Sequence, residues 1–195
     1  MAHESGARPF RLYALCDQES LDRRGISLEA FVSLCKKHDA EIVQYRNKSG
    51  DTHAVKKQLI ALRRLWDRFL VINDTFELAP FCDGVHLGQE DLLAIDPDPV
   101  RGLKALKASI GGDKIVGLST HNAEEIATAN TLELNYIGLG AYRATQTKEV
   151  DNILGPKLDS LAVDSLHPVA AIGGVRFDDR FLHVTYHVIG SGLLP

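Results

Sequence analysis

The sequence predicts an α/β protein, namely a compact single-domain (β/α)8 TIM barrel with a shortened C-terminal end. Eight short strand-like runs alternate with helical patterns along 195 residues, which is typical of parallel strands joined by helices. Polar residues follow nearly every run instead of gathering at one crevice, which favours the barrel over an open, doubly wound sheet. We expect residues 1–195 to form one barrel domain, with residues 1–10 as a flexible N-terminal extension.

The predicted strands are short apolar or β-branched runs bounded by turn residues. They span residues 11–16, 41–46, 69–74, 84–88, 114–120, 136–142, 168–175 and 186–192. Parallel strands need crossover connections, so the segments between these runs are expected to contain helices.

Helical periodicity is clearest at residues 27–38, 53–67 and 122–133, where apolar residues recur every three or four positions. Asn122 suits the N-cap of the last of these, because acidic residues follow it in the first turn. The long linker at residues 94–109 is expected to contain the fourth helix.

Three connections are short for a barrel of this class. Residues 75–82 leave little room for a third helix, and residues 176–185 are too few for a full seventh helix. The chain reaches Pro195 without a clear eighth helix. The shortening therefore concentrates at the C-terminal end.

Composition limits the classes of partner. The chain is 45% hydrophobic with a net charge of −4, which suits a soluble globular protein and argues against nucleic acid as the main partner. No apolar run approaches the ~20 residues of a membrane span, so we expect no membrane partner and a cytoplasmic location. Cys16, Cys35 and Cys82 are odd in number and far apart, which favours reduced core thiols. A homo-oligomer is left open.

Polar or glycine-rich stretches follow seven of the predicted strands. They occupy residues 44–48, 73–74, 88–91, 119–121, 145–148, 172–174 and 190–192. Any one of them alone would be an ordinary solvated loop or helix cap. In a parallel barrel the C-terminal ends of all strands meet on one face, which carries the chemistry. We therefore expect these stretches to surround one site.

Asp74 and Asp91 end consecutive strands, so their carboxylates are expected to lie close together. Two carboxylates repel unless a cation neutralises them, and Mg²⁺ prefers one or two carboxylates together with substrate phosphates. The alternative is that Asp74 caps a helix and Asp91 lies on the surface.

Arg46, Lys48 and Lys148 add three cations to the same rim. Arginine offers a two-pronged donor to phosphate oxygens, and lysine offers a compact point charge. Together with a metal site, these residues indicate a highly charged anion such as a diphosphate.

The glycine loops "IGGV" and "GSGLL" follow the seventh and eighth predicted strands. Loops in these two positions often form a phosphate site from backbone N–H groups. Glycine also simply makes turns, so the position of the loops is the stronger signal. The sequence thus predicts two phosphate sites in one mouth.

The histidines are weaker candidates. His183 and His187 lie four residues apart but straddle a strand start, which argues against a zinc pair. His86 alternates within a strand and is better interpreted as a packed histidine than as a catalyst. His121 lies on the rim, where it could transfer protons or cap the following helix.

Six blocks of the sequence together resemble the thiamine phosphate synthase family over residues 11–192. They are "VQYRNK", "INDT", "DGVHLGQEDL", "GLSTHN", "YIGLGAYRATQTK" and "AIGGV". The resemblance implies a barrel enzyme, a transferase that uses Mg²⁺ as its cofactor. It would couple 4-amino-2-methyl-5-hydroxymethylpyrimidine diphosphate, an aminopyrimidine diphosphate, to hydroxyethylthiazole phosphate, giving thiamine phosphate and pyrophosphate.

The resemblance also implies roles for individual residues. Asp74 and Asp91 would bind Mg²⁺, and Arg46, Lys48 and Lys148 would be catalytic. The pyrimidine diphosphate would be held by Gln44, Tyr45, Arg46, Asn47, Lys48, Asn73, Ser119 and Lys148. The thiazole phosphate would be held by Thr145, Gln146, Thr147, Gly174, Gly190 and Ser191.

Two alternatives share the barrel. One is a related thiazole tautomerase, in which a histidine matching His121 would act. The other is a non-catalytic protein that binds a phosphate ligand. Relatives of the first kind usually lack the paired aspartates, whereas Asp74 and Asp91 are both present here. The bulky pair Tyr142 and Arg143, which lies beside the "TQTK" loop at residues 145–148, departs from the family's usual sequence.

Overall fold

A computed structural model describes residues 10–144 and 153–195. Its eight parallel strands pair in chain order and close between the first and the last. They are β1 Arg11–Asp17, β2 Ala40–Arg46, β3 Phe69–Asn73, β4 Gly84–Leu87, β5 Ile115–Thr120, β6 Tyr136–Leu139, β7 Val169–Ala171 and β8 Tyr186–Ile189. The predicted barrel is confirmed, and every predicted strand has a counterpart.

The last three strands are shorter than predicted. β6 ends at Leu139, β7 at Ala171 and β8 at Ile189, although the apolar character of the sequence continues beyond each of them. Gly173 and Gly174 follow β7 with φ of 87° and 67°, a left-handed conformation that ends an extended strand and that glycine adopts readily. The glycine-rich ends predicted as strand therefore form loops.

Helices connect the strands along most of the chain. They are α1 Gln18–Arg24, α2 Leu28–Lys37, α3 Thr52–Leu65, α4 Gln89–Ile95, α5 Pro99–Ile110, α6 Ala123–Ala129 and α7 Lys157–Ala162. Asn122 caps α6 as predicted, since its side chain accepts a hydrogen bond from the Glu125 N–H at 2.9 Å. The predicted linker helix is α5. α4 begins directly after β4, where the sequence suggested only a polar loop, and α1 begins directly after β1, where no helix was singled out.

The third connection is a 3₁₀ helix, Phe76–Phe81, which contains Pro80. Residues 172–185 contain no helix, and a 3₁₀ turn at Ser191–Leu193 follows β8. The predicted shortening is therefore confirmed.

Aromatic rings cover β8 at the place where the helix that connects β7 to β8 normally packs in a barrel. The His187 ring stacks on Phe10 with centroids 3.9 Å apart, and Phe181 meets it edge-on at 5.1 Å. Phe177 lies 6.4 Å from Phe10. Phe10 therefore packs on the barrel, whereas residues 1–9 of the predicted extension lie outside the described residues.

Side chains alternate between two buried layers, as the pleat of a strand requires. The layer inside the barrel comprises Tyr13, Ile42, Val71, Tyr136, Ala170, Tyr186 and Val188. The larger layer lies between the strands and the helices and includes Phe31, Leu59 and Trp66. Cys16, Cys35 and Cys82 are buried free thiols, as predicted. Within the described residues, no helix is both long and apolar enough to cross a membrane.

Candidate functional site

A cavity of about 1060 Å³ opens at the C-terminal end of the strands. Every strand or the loop after it contributes to its lining. Ten of the sequence-predicted residues line it: Gln44, Arg46, Lys48, Asn73, Asp74, Asp91, Ser119, Gly174, Gly190 and Ser191. Thr145, Gln146, Thr147 and Lys148 lie outside the described residues. The structure thus brings the described part of the predicted rim together in one place.

Tyr45 and Asn47 are the exceptions among the predicted pyrimidine contacts. Strand alternation turns Tyr45 outward, where it is fully buried between strands and helices and its hydroxyl donates to Gln18 at 2.9 Å. The Asn47 side chain accepts hydrogen bonds from the Ser49 and Gly50 N–H groups. Neither side chain lines the cavity: Asn47 shapes the loop and Tyr45 belongs to the core. Their contact with the pyrimidine diphosphate stays a prediction.

Arg46 ends β2 and is almost fully buried beside Asp17 at the end of β1. Arg46 Nη1 donates to Asp17 Oδ2. The other carboxylate oxygen of Asp17 accepts from the Ser20 N–H at 3.0 Å and from its hydroxyl at 2.7 Å. Asp17 is therefore held rigidly as the N-cap of α1 and fixes the guanidinium. Asp17 was not predicted as a site residue. The usable signal was an aspartate at the end of a strand with a serine three residues later, a pattern that suits a helix N-cap.

Asp74 and Asp91 face each other at the ends of β3 and β4. The pKa of Asp74 is raised by burial and then by the negative charge of Asp91, while the positive charges of Lys48 and Arg46 act in the opposite direction. Asp74 adopts a left-handed φ of 59°, which brings its carboxylate to Asn73 Nδ2 at 2.5 Å. Two half-buried carboxylates beside two cations fit a small divalent ion that completes its shell with other oxygens.

The alternative role predicted for Asp74, helix capping, is wrong. The following 3₁₀ helix starts after Thr75 and has no side-chain cap. Asp91 does cap, because its carboxylate accepts from the Gly88 N–H at 3.0 Å at the start of α4. No cluster of three or more His, Cys, Asp or Glu side chains suited to a metal occurs within residues 10–144 and 153–195.

The glycine loops after β7 and β8 form the opposite side of the cavity. Gly173 and Gly174 lie beside Gly190, Ser191 and Gly192. No bulky side chain intervenes at these five positions, so backbone groups are close to the cavity. Such a surface suits a phosphate that is bound by N–H groups and a hydroxyl.

Arg143 braces these loops from the end of β6. It donates to both carboxylate oxygens of Asp179, each at 2.6 Å, and to the Gly174 carbonyl at 2.8 Å. Asp179 also accepts from the Arg176 N–H at 2.8 Å. Hydrogen bonding to Arg143 holds the pKa of Asp179 below its ordinary value. Arg143, where the sequence departs from the family's usual residues, therefore acts as a structural clamp on these loops.

His121 lines the cavity at the start of α6. Its Nδ1 lies 2.8 Å from Glu125 Oε2, and the same oxygen accepts from the His121 N–H at 2.9 Å. A carboxylate that orients an imidazole in this way is an arrangement suited to proton transfer. The alternative that His121 is structural stays open.

A hydrogen-bonded network runs from the lining of the cavity into the barrel interior. It joins Asp74, Asn73, Gln44, Tyr13, Tyr136, His86 and Ser119. His86 is packed within its strand, as predicted, with 6% exposure. The two tyrosines were missed, although polar groups at inward-facing positions of several strands would have indicated the network.

Comparisons with known proteins agree with this picture. Residues 12–184 match the model of a family described as thiamine monophosphate synthase. A thiamine-phosphate synthase of Halalkalibacterium halodurans is 34% identical over 192 residues, covering 95% of this chain and 83% of that protein. One from Persephonella marina is 30% identical over 171 residues, covering 85% and 77%. The solved thiamine phosphate pyrophosphorylase of Pyrococcus furiosus shares the fold, with a TM-score of 0.71, 23% identity and coverage of 95% and 89%.

Proposed function

Because this chain belongs to the thiamine monophosphate synthase family, we propose that it couples the aminopyrimidine diphosphate to hydroxyethylthiazole phosphate, forming thiamine phosphate and releasing pyrophosphate. The chain is a transferase. In the proposed step, the C–O bond between the pyrimidine methylene carbon and the diphosphate breaks, and its electron pair leaves with the diphosphate. The thiazole nitrogen then donates its lone pair to that carbon to form the C–N bond.

The observation that carries this proposal is the pair Asp74 and Asp91 facing Arg46 and Lys48 in one cavity. The two aspartates are the residues that would hold Mg²⁺. When bound there, Mg²⁺ would neutralise negative charge on the departing diphosphate. Arg46 and Lys48 would bind the diphosphate oxygens directly, with Arg46 aligned by Asp17.

The second substrate would bind on the glycine side. Gly174, Gly190 and Ser191 would hold the thiazole phosphate, with Thr145, Gln146 and Thr147 added by the resemblance. Gln44, Asn73 and Ser119 would position the pyrimidine between the two phosphate sites. This reaction needs no protein nucleophile, so positioning and charge neutralisation are the main contributions expected of the protein.

Lys148 is proposed to assist departure of the diphosphate by the resemblance alone. The change Lys148→Ala is expected to slow product formation while leaving the affinity for thiazole phosphate largely unchanged. A normal rate in this variant would remove Lys148 from the mechanism.

A second candidate is favoured by one observation, the His121–Glu125 pair inside the cavity. A thiazole tautomerase would use such an imidazole to move a proton on the thiazole ring, with no diphosphate substrate. The two candidates therefore differ in the substrates that they require.

The deciding experiment measures pyrophosphate release and thiamine phosphate formation from the two purified substrates, with and without Mg²⁺. The proposal expects product only when both substrates and the metal are present. Folded protein that yields no product but converts thiazole phosphate isomers would establish the second candidate instead. Binding of thiazole phosphate without either reaction would indicate a non-catalytic ligand-binding protein.

A further inference from the structure

The hydrogen-bonded network is a continuous chain that leaves the cavity lining at one end, crosses the barrel interior and returns to the lining at the other end. We call it the interior chain. In order, it consists of Asp74, Asn73, Gln44, Tyr13, Tyr136, His86 and Ser119. Tyr13 and Tyr136 are almost fully buried, at 1% and 2% exposure. The two phenols are therefore shielded from solvent, and their donors and acceptors must match those of their neighbours.

The Asp74 end sets the direction of the chain. The NH₂ group of Asn73 donates to a carboxylate oxygen of Asp74 at 2.5 Å. The Asn73 carbonyl oxygen then faces Gln44 and accepts from Gln44 Nε2 at 2.6 Å. Gln44 Oε1 is consequently the atom that faces Tyr13, and it accepts from the Tyr13 hydroxyl at 2.7 Å.

The two tyrosines transmit this direction because each phenol has a single proton. Tyr13 gives its proton to Gln44, so in its 2.8 Å contact with Tyr136 it must accept. Tyr136 thus gives its own proton to Tyr13. Its oxygen must then accept from His86 Nδ1, which lies 3.0 Å away. Burial raises the pKa of both phenols, so both keep their protons.

His86 extends this order of donors and acceptors to Ser119, which lines the cavity. A neutral imidazole has one donor nitrogen and one acceptor nitrogen. With Nδ1 donating to Tyr136, Nε2 accepts from the Ser119 hydroxyl at 3.0 Å. The Ser119 proton is then committed to the barrel interior, and its oxygen presents only lone pairs to the cavity that it lines.

The neighbouring strands leave room for this arrangement. A Cβ added at Gly117 would lie 2.2 Å from the Tyr136 ring, and one added at Gly138 would lie 3.0 Å from the His86 ring. The ring pair stacks at 5.5 Å. Both rings therefore occupy space that larger residues at these two positions would fill.

We propose that Tyr136 and His86 are positioning residues. Tyr136 holds His86 as the neutral Nδ1–H tautomer, and His86 in turn holds Ser119 as a hydrogen-bond acceptor. Ser119 would then favour a ligand ring that carries an N–H donor, such as an amino group, over one that carries only an acceptor at the same place. The identity of that ring as the aminopyrimidine rests on the proposed function, whereas the tautomer does not.

The first test uses the full chain without ligand. Nitrogen NMR of protein with isotope-labelled histidine shows which ring nitrogen of each histidine carries a proton, and the variant His86→Gln assigns the His86 signals. The proposal expects a proton on Nδ1 and none on Nε2. An Nε2–H tautomer or a doubly protonated ring in the wild-type protein would overturn it.

The variant Tyr136→Phe removes the acceptor for His86 Nδ1–H. We expect the proton to shift, in part or wholly, to Nε2. The matched control is Tyr186→Phe, which removes a hydroxyl from the same interior layer but not from the interior chain, and should leave the His86 signals unchanged. Equal signals in both variants would contradict the role of Tyr136.

The second test compares the aminopyrimidine diphosphate with an analogue that lacks the amino group. Tyr136→Phe and Ser119→Ala are each expected to reduce the preference for the amino compound in kcat/KM by about 3- to 10-fold, as for one lost hydrogen bond. Their double variant should show no further loss, and Tyr186→Phe should keep the preference. An unchanged preference in Tyr136→Phe would overturn the positioning role. If the wild-type protein turns over neither compound, the proposed function fails, while the NMR result still decides the tautomer.

Discussion

Arg143 and Asp179 form an ion pair with two hydrogen bonds of 2.6 Å, which joins the loop after β6 to the segment after β7. The same guanidinium donates to the Gly174 carbonyl. One side chain thereby fixes the position of a glycine loop that the proposed function assigns to phosphate binding. The clamp connects stability at this end of the barrel with affinity for the thiazole phosphate.

The first prediction concerns acid stability. Because the pKa of Asp179 is lowered in the folded state, its ionised form stabilises the fold above the unfolded value of about 4. That contribution is lost as pH falls through the lower folded pKa. Asp179→Asn should cost about 1–3 kcal/mol near neutral pH and progressively less in acid, as measured by urea unfolding. Asp178→Asn, at an exposed neighbour, is the control, and a pH-independent difference for Asp179→Asn would refute the assignment.

The second prediction concerns the buried pair Asp17 and Arg46. Asp17→Asn keeps the shape and an acceptor for Ser20 but removes the charge that orients the guanidinium. We expect kcat/KM to fall by roughly 10- to 100-fold through misplacement of Arg46, and the free energy of unfolding to fall by about 3 kcal/mol. Steady-state kinetics and denaturant titration measure the two effects. A variant with wild-type values of both would show that Arg46 needs no such partner.

The third prediction concerns the carboxylate pair. Asp74→Asn and Asp91→Asn should each lower the coupling rate by orders of magnitude and abolish its dependence on Mg²⁺. Without metal, Asp74→Asn should not lower the free energy of unfolding, because it relieves repulsion between two half-buried like charges. The comparison is Glu90→Gln, which removes a nearby exposed charge outside the pair. Retention of Mg²⁺-dependent turnover in both aspartate variants would sink the metal assignment.

The fourth prediction concerns His187, whose pKa is lowered chiefly by burial. The unfolded chain therefore binds a proton more readily than the folded one, and stability falls as pH drops below about 6.5 towards the folded pKa. His187→Phe should remove this part of the pH dependence. Unfolding free energies between about pH 5 and 7 test this, with the exposed His53→Phe as control. An unaltered slope in His187→Phe would contradict the prediction.

The barrel could be predicted because a short strand-like run recurs eight times along the chain, mostly separated by helical patterns, and such alternation requires parallel strands. The sequence also predicted Asp74, Asp91, Arg46 and Lys48 at the cavity, because strand ends of a barrel meet on one face. Boundaries were less accurate where glycines follow apolar runs. Sequence patterns there do not reveal the left-handed φ values of Gly173 and Gly174 that end β7.

Side-chain direction was the main source of error in the site. The resemblance covers residues 44–48 as a continuous block, but alternation along β2 sends Tyr45 into the outer layer and Gln44 into the barrel. Tyr13 and Tyr136 were not predicted, because an aromatic residue in a strand looks like ordinary core, although both side chains point into the barrel. Only the closed barrel brings these hydroxyls, 123 residues apart in sequence, to 2.8 Å.

The crossover between β7 and β8 covers the barrel wall with separate aromatic rings instead of a helix. An amphipathic helix distributes its packing over many apolar positions, so that sequences diverge there with small losses. Phe10, Phe177 and Phe181 meet His187 or one another as individual rings. His38 also packs on Phe177, and Tyr142 on Phe181. Evolutionary change on this side of the barrel should therefore be free at exposed positions such as Leu182, whereas the aromatic positions should change only in concert.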